Sequence, residues 1–153
     1  MIFLLEIKFE EVTNKQNKEK AVLPKRKTSG SAGYDFFLPY DVEIAPHSTS
    51  SLLFTDIKAK MPQNFVLMLF IRSSLGIKKG LRLANITGII DSDYYNNPDN
   101  EGNIGIKIKN DSDEAVLLKT GDSVVQGIFL RYYSVVEDNT NSNREGGFGS
   151  TGK

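Results

Sequence analysis

The sequence predicts an all-β protein with a single domain, and three observations support this. Short apolar stretches rich in β-branched and aromatic residues alternate with clusters of Gly, Pro, Asn, Asp and Ser, the pattern of strands joined by turns. Few windows show a helical period. About ten such stretches follow one another at the spacing of a sandwich, jelly roll or barrel. The length of 153 residues also suits one domain.

The strands are bounded by turn-forming residues, for example at 39–41, 45–46, 61–62, 110–112 and 120–122. The predicted strands cover residues 3–11, 34–38, 41–44, 50–58, 64–71, 81–85, 88–91, 104–110, 115–118 and 123–133. In the first strand, Glu6 and Lys8 interrupt the apolar run too early for a signal peptide. One helical turn is expected after residue 72, because Ser73 and Ser74 offer N-cap hydroxyls and Gly76 ends the turn early.

Two segments are expected to lie outside the strands. Residues 94–102 are polar and rich in Asn, Pro and Gly, which predicts a surface loop. Residues 137–153 are too polar and glycine-rich to bury enough apolar surface to offset the entropy of ordering. We therefore predict a β domain over 1–136 and a mobile C-terminal arm over 137–153.

Composition argues against several classes of function. Nineteen Lys and Arg balance nineteen Asp and Glu, which disfavours a broad surface for nucleic acid or an anionic membrane. The absence of Cys excludes disulfides, thiol nucleophiles and cysteine-ligated metal centres, and suits a reducing compartment. No apolar run approaches the roughly 18 residues of a membrane span, so a cytoplasmic protein is expected. The single histidine, His47, is expected to be a surface residue in a turn.

Four groups of polar residues could carry chemistry. Arg72, Ser73 and Ser74 follow an apolar strand, and a guanidinium, two hydroxyls and unpaired backbone N–H groups suit an anion. The alternative is a solvated Arg at a strand end. Asp35 follows a glycine and could hold a water molecule or a hydrated metal ion, or belong to a turn.

Asp91 directly follows an apolar strand, so it is expected at the edge of the core, where a carboxylate can act as a general base toward water. The alternative is a structural turn. Asp93 should face the other way and be solvated or cap the turn.

The arm contains Arg144, glycine N–H groups and the hydroxyls of Ser150 and Thr151, all of which suit a phosphate chain. Phe148 has no core to join in the arm and could stack on a base or a partner surface. The alternative is an arm with no role. A P-loop is rejected for the terminal glycines and Lys, because no preceding strand and no following helix accompany them.

Together and in order, these segments resemble the five motifs of the trimeric dUTPases. The counterparts are Ala32-Gly33-Tyr34-Asp35, Arg72-Ser73-Ser74-Leu75-Gly76, Gly88-Ile89-Ile90-Asp91-Ser92-Asp93-Tyr94, Gly121-Asp122-Ser123-Val124-Val125-Gln126 and Gly146-Gly147-Phe148-Gly149-Ser150-Thr151-Gly152. Each motif is weak alone, but five in the right order over nearly the whole chain are specific. The resemblance implies a jelly-roll-like protomer, a homotrimer, and active sites at subunit interfaces that the arm of another chain closes.

The resemblance also implies roles for individual residues. Asp91 would activate the water that attacks the α-phosphorus of dUTP, giving dUMP and pyrophosphate. Tyr94 would pack against the deoxyribose and exclude a 2'-hydroxyl, and Phe148 would stack on the base. Mg²⁺ would be held mainly by the triphosphate, with Asp35 acting through water. The implied phosphate and catalytic contacts are Arg72, Ser73, Ser74, Gln126, Arg144, Gly149, Ser150 and Thr151; the implied uracil pocket contains Asn85, Gly88, Ile89, Ile90 and Gly105.

Three features depart from the commonest family pattern. Arg144 lies one residue closer to Phe148 than is usual, so Asn143 occupies the customary position of the Arg. Ile71 precedes Arg72 where Pro or Gly is more common. The stretch 95–101 is longer than usual, which predicts an extra bulge near the sugar pocket.

Two other functions are compatible with parts of this pattern. A dCTP deaminase of the same superfamily also has an Arg-Ser-Ser element, but it requires a catalytic Glu downstream of the third motif that this sequence does not offer. A regulatory protein, whose arm closure on a nucleotide binds or releases a protein partner, could coexist with catalysis, and loop 95–101 is where such a partner would bind. A purely structural domain would not need Asp91, Arg72 and the arm together.

Overall fold

The computed structural model describes residues 5–19 and 21–149, and within them it shows twelve strands, one short helix and a 3₁₀ turn at Ser92–Tyr94. The elements are β1 Lys8–Glu11, β2 Tyr34–Phe37, β3 Val42–Ile44, β4 Leu53–Phe54, β5 Ile57–Lys60, β6 Phe65–Ile71, α1 Ser73–Lys79, β7 Leu81–Leu83, β8 Gly88–Asp91, β9 Gly105–Ile106, β10 Ile108–Asn110, β11 Val116–Leu118 and β12 Ser123–Arg131. The all-β prediction is confirmed.

A four-stranded antiparallel sheet in the order β2-β12-β6-β8 forms the centre of the fold, and β1-β5, β3-β11, β4-β9 and β7-β10 pair around it. Strand β6 pairs along its whole length with β12. Its alternate residues Leu67 and Leu69 are almost fully buried, as one face of a strand against a core requires. The two neighbours of β6 carry two of the predicted catalytic residues, Gln126 in β12 and Asp91 in β8.

An aromatic cluster joins the β1-β5 pair to the central sheet. The ring of Phe9 lies 5.4 Å from the rings of Tyr34, Phe36 and Phe129, measured between centroids. Aromatic pairs of this kind contribute about 0.5–1.5 kcal/mol beyond their buried area. The first described strand is therefore fixed by packing as well as by its ladder.

Two predicted strands are each divided in the structure. The prediction 50–58 becomes β4 and β5, because Asp56 has a left-handed φ of 61° and interrupts the strand. Its carboxylate accepts hydrogen bonds from the backbone N–H groups of Gln16 and Asn17, each at 2.9 Å. The prediction 104–110 becomes β9 and β10, which pair with different strands, β4 and β7.

The helix differs from the prediction in length and capping. It does not end at Gly76 but continues to Lys79, and Gly80, with a φ of 64°, follows it as the C-cap. Neither Ser73 nor Ser74 caps its start; the N-cap residue is Arg72, whose side chain makes no capping hydrogen bond. The helix therefore starts one residue earlier than the hydroxyls indicated, because Arg72 is the last extended residue after β6.

His47 is exposed in a turn, as predicted, and its Nε2 lies 2.8 Å from Oδ1 of Asp113. Among the described helices, none is long and apolar enough to cross a membrane.

Candidate active site

The first polar cluster lies where β6 ends and α1 begins. A cavity of about 290 Å³, here called the Arg72 pocket, is lined by Arg72, Ser73, Asp35, Gln126 and Lys27 among others. The Arg72 Nε lies 3.5 Å from Oδ1 of Asp35, which is only 7% exposed. Asp35 in β2 pairs directly with Gln126 in β12, so their side chains share one face of the sheet. The pocket thus combines cations, hydroxyls and an amide around one buried carboxylate.

Gly33 makes room for Gln126 in this pocket. A Cβ at residue 33 would lie 2.5 Å from the Oε1 atom of Gln126, which is well inside contact distance. A larger residue at this point of the first motif would therefore push the Gln126 amide out of its position.

The second cluster lies around the end of β8. A cavity of about 460 Å³, here called the Asp91 pocket, has an apolar floor that includes Leu69, Leu83 and Ile106. Its wall contains the predicted uracil and sugar contacts and the predicted base, namely Asn85, Gly88, Ile89, Ile90, Asp91, Tyr94 and Gly105. The side chain of Asp91 is 49% exposed at the rim. The predicted position of Asp91 at the edge of the core is confirmed. Asn85 follows β7 in a turn, outside the strand predicted for it.

Tyr94 is a fixed wall of the Asp91 pocket. Its side chain is buried, its hydroxyl donates to the carbonyl oxygen of Asn103 at 2.7 Å, and it accepts from the amide of Asn100 at 2.8 Å. Burial raises the pKa of the Tyr94 hydroxyl, which therefore stays protonated. Two hydrogen bonds hold the ring in one orientation, and no feature of the sequence indicated that Asn100 and Asn103 do this.

The described part of the arm, residues 137–149, contains no strand or helix, and its end lies over the Asp91 pocket of its own chain, whereas the resemblance implies closure by the arm of another chain. The Arg144 guanidinium bridges two carboxylates, with Nη2 at 2.5 Å from Oδ2 of Asp91 and Nε at 2.7 Å from Oδ1 of Asp93. The ring of Phe148 meets those of Tyr94 and Phe54 edge-on, with centroids 6.4 and 6.0 Å apart. Asp93 is exposed, as predicted, but it is also paired with the arm.

Within one chain the two pockets lie far apart. Asp91 pairs with Val66 near the start of β6, and Arg72 follows six residues later, beyond the end of the same strand. At about 3.3 Å per residue this is a separation of about 20 Å along the strand. The two cavities also have no described lining residue in common. Residues that the resemblance assigns to one site therefore lie in two separate pockets on this chain.

The loop at 95–101, predicted to lie at the surface, is anchored. The Glu101 carboxylate accepts hydrogen bonds from the backbone N–H groups of Thr13 and Asn14, at 2.9 and 3.0 Å, and its Oε1 lies 3.2 Å from Nζ of Lys58. The Asn14 hydrogen bond, with those of Thr13, lowers the pKa of Glu101 to about 2. Since the partners lie more than 40 residues away, local sequence patterns could not reveal this anchor.

Several predicted residues lie elsewhere. Ser74 is exposed and is not among the described residues lining the Arg72 pocket. Ser150 and Thr151 lie outside the described residues, while Gly149 lines the Asp91 pocket. Across residues 5–19 and 21–149, no group of three His, Cys, Asp or Glu side chains could hold a metal ion.

Sequence comparisons relate this chain to one family of enzymes. The dUTPase family model matches residues 19–152. The deoxyuridine 5'-triphosphate nucleotidohydrolase of Lactococcus lactis is 44% identical over 145 residues, covering 93% of this chain and 95% of that protein. The vaccinia virus protein of the same name is 37% identical, and the match covers 87% of each.

Solved structures agree in fold. The dUTPase from Streptococcus mutans is 44% identical, with a TM-score of 0.76 over 84% of this chain and 98% of that one. A dUTPase from phage phi11 of S. aureus has a TM-score of 0.71 at 23% identity, over 90% of this chain and 97% of that one, which shows similarity of fold alone.

Proposed function

The chain belongs to the dUTPase family, an enzyme family with a jelly-roll-like β fold, and we propose that it hydrolyses dUTP to dUMP and pyrophosphate through a water activated by Asp91. This activity would limit uracil in DNA and supply dUMP for dTMP synthesis. The observation that carries the proposal is the position of Asp91, half exposed at the rim of an apolar pocket and beside the fixed ring of Tyr94.

We further propose that each active site combines the Asp91 pocket of one chain with the Arg72 pocket of another, in a homotrimer. The separation of about 20 Å between the two ends of β6 supports this proposal. Residues that far apart on one chain cannot contact the same triphosphate. A closed ring of three chains would bring each Asp91 pocket to a neighbour's Arg72 pocket.

In the Asp91 pocket, Asn85 and the backbone at Gly88, Ile89 and Gly105 would read uracil, with Ile90 alongside. A cytosine would present the wrong donor to these groups and leave a polar atom unpaired, at a cost of about 1–3 kcal/mol. Tyr94 would pack on the deoxyribose. Because two hydrogen bonds fix its ring, the ring cannot move aside for a 2'-hydroxyl.

In the Arg72 pocket, the side chains of Arg72, Ser73 and Gln126 would hold the phosphates. Ser74 would contact a phosphate oxygen through its backbone N–H at the start of α1. From the arm, Phe148 would stack on the base, and Gly149, Ser150 and Thr151 would lie near the terminal phosphates. Arg144 would exchange its two carboxylate partners for phosphate oxygens, freeing Asp91 to accept a proton.

Mg²⁺ bound to the triphosphate would supply neutralisation of phosphate charge. The residues present fit a metal held mainly by the substrate, because Asp35 is buried and its two oxygens already face Arg72 and Lys27. Asp35 would therefore act through a water molecule.

The test is pyrophosphate release from dUTP, dCTP, dTTP and UTP, each with and without Mg²⁺. We expect rapid, Mg²⁺-dependent release from dUTP alone. No release from dUTP would contradict the proposal, and ammonia release from dCTP would indicate a deaminase instead.

A further inference from the structure

Lys27 lies in the Arg72 pocket although it precedes the first of the five motifs, which begins at Ala32. Its Nζ is 4.0 Å from Oδ2 of Asp35, on the other carboxylate oxygen from the one that faces Arg72. The Lys27 side chain is 64% exposed, so its ammonium is free to move toward a ligand in the pocket.

Lys27 does not belong to a uniformly solvated basic run. Its neighbours in the run lie on aromatic rings: the Lys25 ammonium is 5.6 Å from the centroid of Phe37, and the Arg26 guanidinium 5.8 Å from that of Tyr34. The backbone at Lys25 pairs with that of Asp35 through two hydrogen bonds, at 2.9 and 3.3 Å. The segment is therefore fixed to β2, and of its three cations Lys27 is the one that lines the pocket.

Lys27 decides the net charge of the Arg72 pocket. Arg72 faces the carboxylate of Asp35, and its Nη1 also donates to the carbonyl oxygen of Ser123, so its charge is largely balanced within the protein. A triphosphate carries several negative charges, and a neutral pair attracts it weakly. Among the described lining residues, Arg72 and Asp35 offset each other in charge. Lys27 adds a second positive charge, so the pocket as a whole is positive.

We propose that Lys27 binds the phosphate chain of dUTP, as a specificity-determining contact for the triphosphate over the nucleoside. This inference rests on the proposed function of the Arg72 pocket. The ammonium of Lys27 is a point charge on a flexible chain and can move to meet a phosphate. The guanidinium of Arg72 is held in place by Asp35 and the carbonyl of Ser123.

The test compares Lys27→Gln and Lys27→Arg with Lys25→Gln, a matched control with the same loss of charge two residues away and outside the pocket. We expect KM for dUTP to rise about three- to tenfold in Lys27→Gln with little change in kcat, because the loss of one charged contact to phosphate weakens binding by about that factor. Lys27→Arg should bring KM back to the value of the parent enzyme. Lys25→Gln should stay within about twofold of the parent enzyme.

Binding separates a phosphate contact from a structural role. Calorimetry with α,β-imido-dUTP should show the same loss of affinity in Lys27→Gln, while binding of deoxyuridine should be unchanged. An unchanged KM, or an equal loss for deoxyuridine, would overturn the inference. If the parent enzyme hydrolyses dUTP normally in that case, the proposed function stands and only the assignment of Lys27 fails.

Discussion

Asp35 and Asp91 are both carboxylates in a site for a polyanion, and their surroundings give them different chemistry. Asp35 is buried between two cations and lies in a strand of the central sheet, so its carboxylate oxygens are already engaged. Asp91 lies at a strand end with half of its side chain exposed, and it forms an ion pair with the arm residue Arg144. Of the two, Asp91 is the one that a water molecule can reach.

Replacing Asp91 with Asn tests its assignment as the base. The pocket keeps its shape but loses a proton acceptor, so kcat should fall by about 100-fold or more. Calorimetry with α,β-imido-dUTP should show that binding is largely retained, and pyrophosphate release gives kcat. Near-normal turnover would show that another group takes the proton.

Glu101 is a structural carboxylate, and Glu101→Gln should lower the free energy of unfolding at pH 7 by about 1–2 kcal/mol. Its pKa is lowered from 4.5 to about 2, mainly by the backbone N–H of Asn14. The stabilisation is therefore present above about pH 4.5 and is lost as the pH falls toward about 2.

Urea denaturation of both proteins at pH 7 and pH 3 measures this effect. Glu137→Gln, at an exposed position, serves as the control. The difference between parent and Glu101→Gln should shrink at pH 3; a constant difference would mean that packing rather than charge is lost.

At the scale of elements, local patterns predicted most strands but not where they break. Apolar alternation identified β6, β8 and β12 within a few residues. The division into β4 and β5 depends on Asp56, whose partners Gln16 and Asn17 lie 40 residues earlier. Similarly, motif resemblance identified Asp91 and Arg72 but not their separation, because the register of β8 on β6 is a tertiary property.

The arm closes against Tyr94, and Gly147 permits this approach. A Cβ at residue 147 would lie 2.5 Å from Cε2 of Tyr94, whose ring is fixed by two hydrogen bonds. We therefore expect Gly147→Ala to prevent docking of the arm and to lower kcat/KM for dUTP by about tenfold or more, with the stability of the β domain unchanged.

Gly30→Ala is the control for this variant, because a Cβ there has open space around it. Activity and thermal unfolding of both variants measure the effect. Full activity of Gly147→Ala would show that the arm docks differently during turnover.

At the scale of the whole molecule, a site shared between chains can be tested by mixing two inactive variants. Arg72→Gln and Asp91→Asn chains, co-expressed with different tags and purified through both, should form hybrids in which some sites receive both intact residues. Purification through both tags keeps only trimers with two chains of one kind and one of the other, and one site in three then receives both intact residues, so about a third of the parent activity should return. Inactive hybrids would show that each chain builds its site alone.

The distance between the two ends of β6 also links activity to protein abundance. In the proposed arrangement, a lone chain holds the two pockets about 20 Å apart and lacks a complete site. Activity per chain should therefore fall on dilution, as assembly is lost by mass action. In a cell, the rate of dUTP hydrolysis would rise more steeply than the concentration of chains. A small change in expression near the concentration at which the trimer assembles would therefore change the rate of hydrolysis strongly.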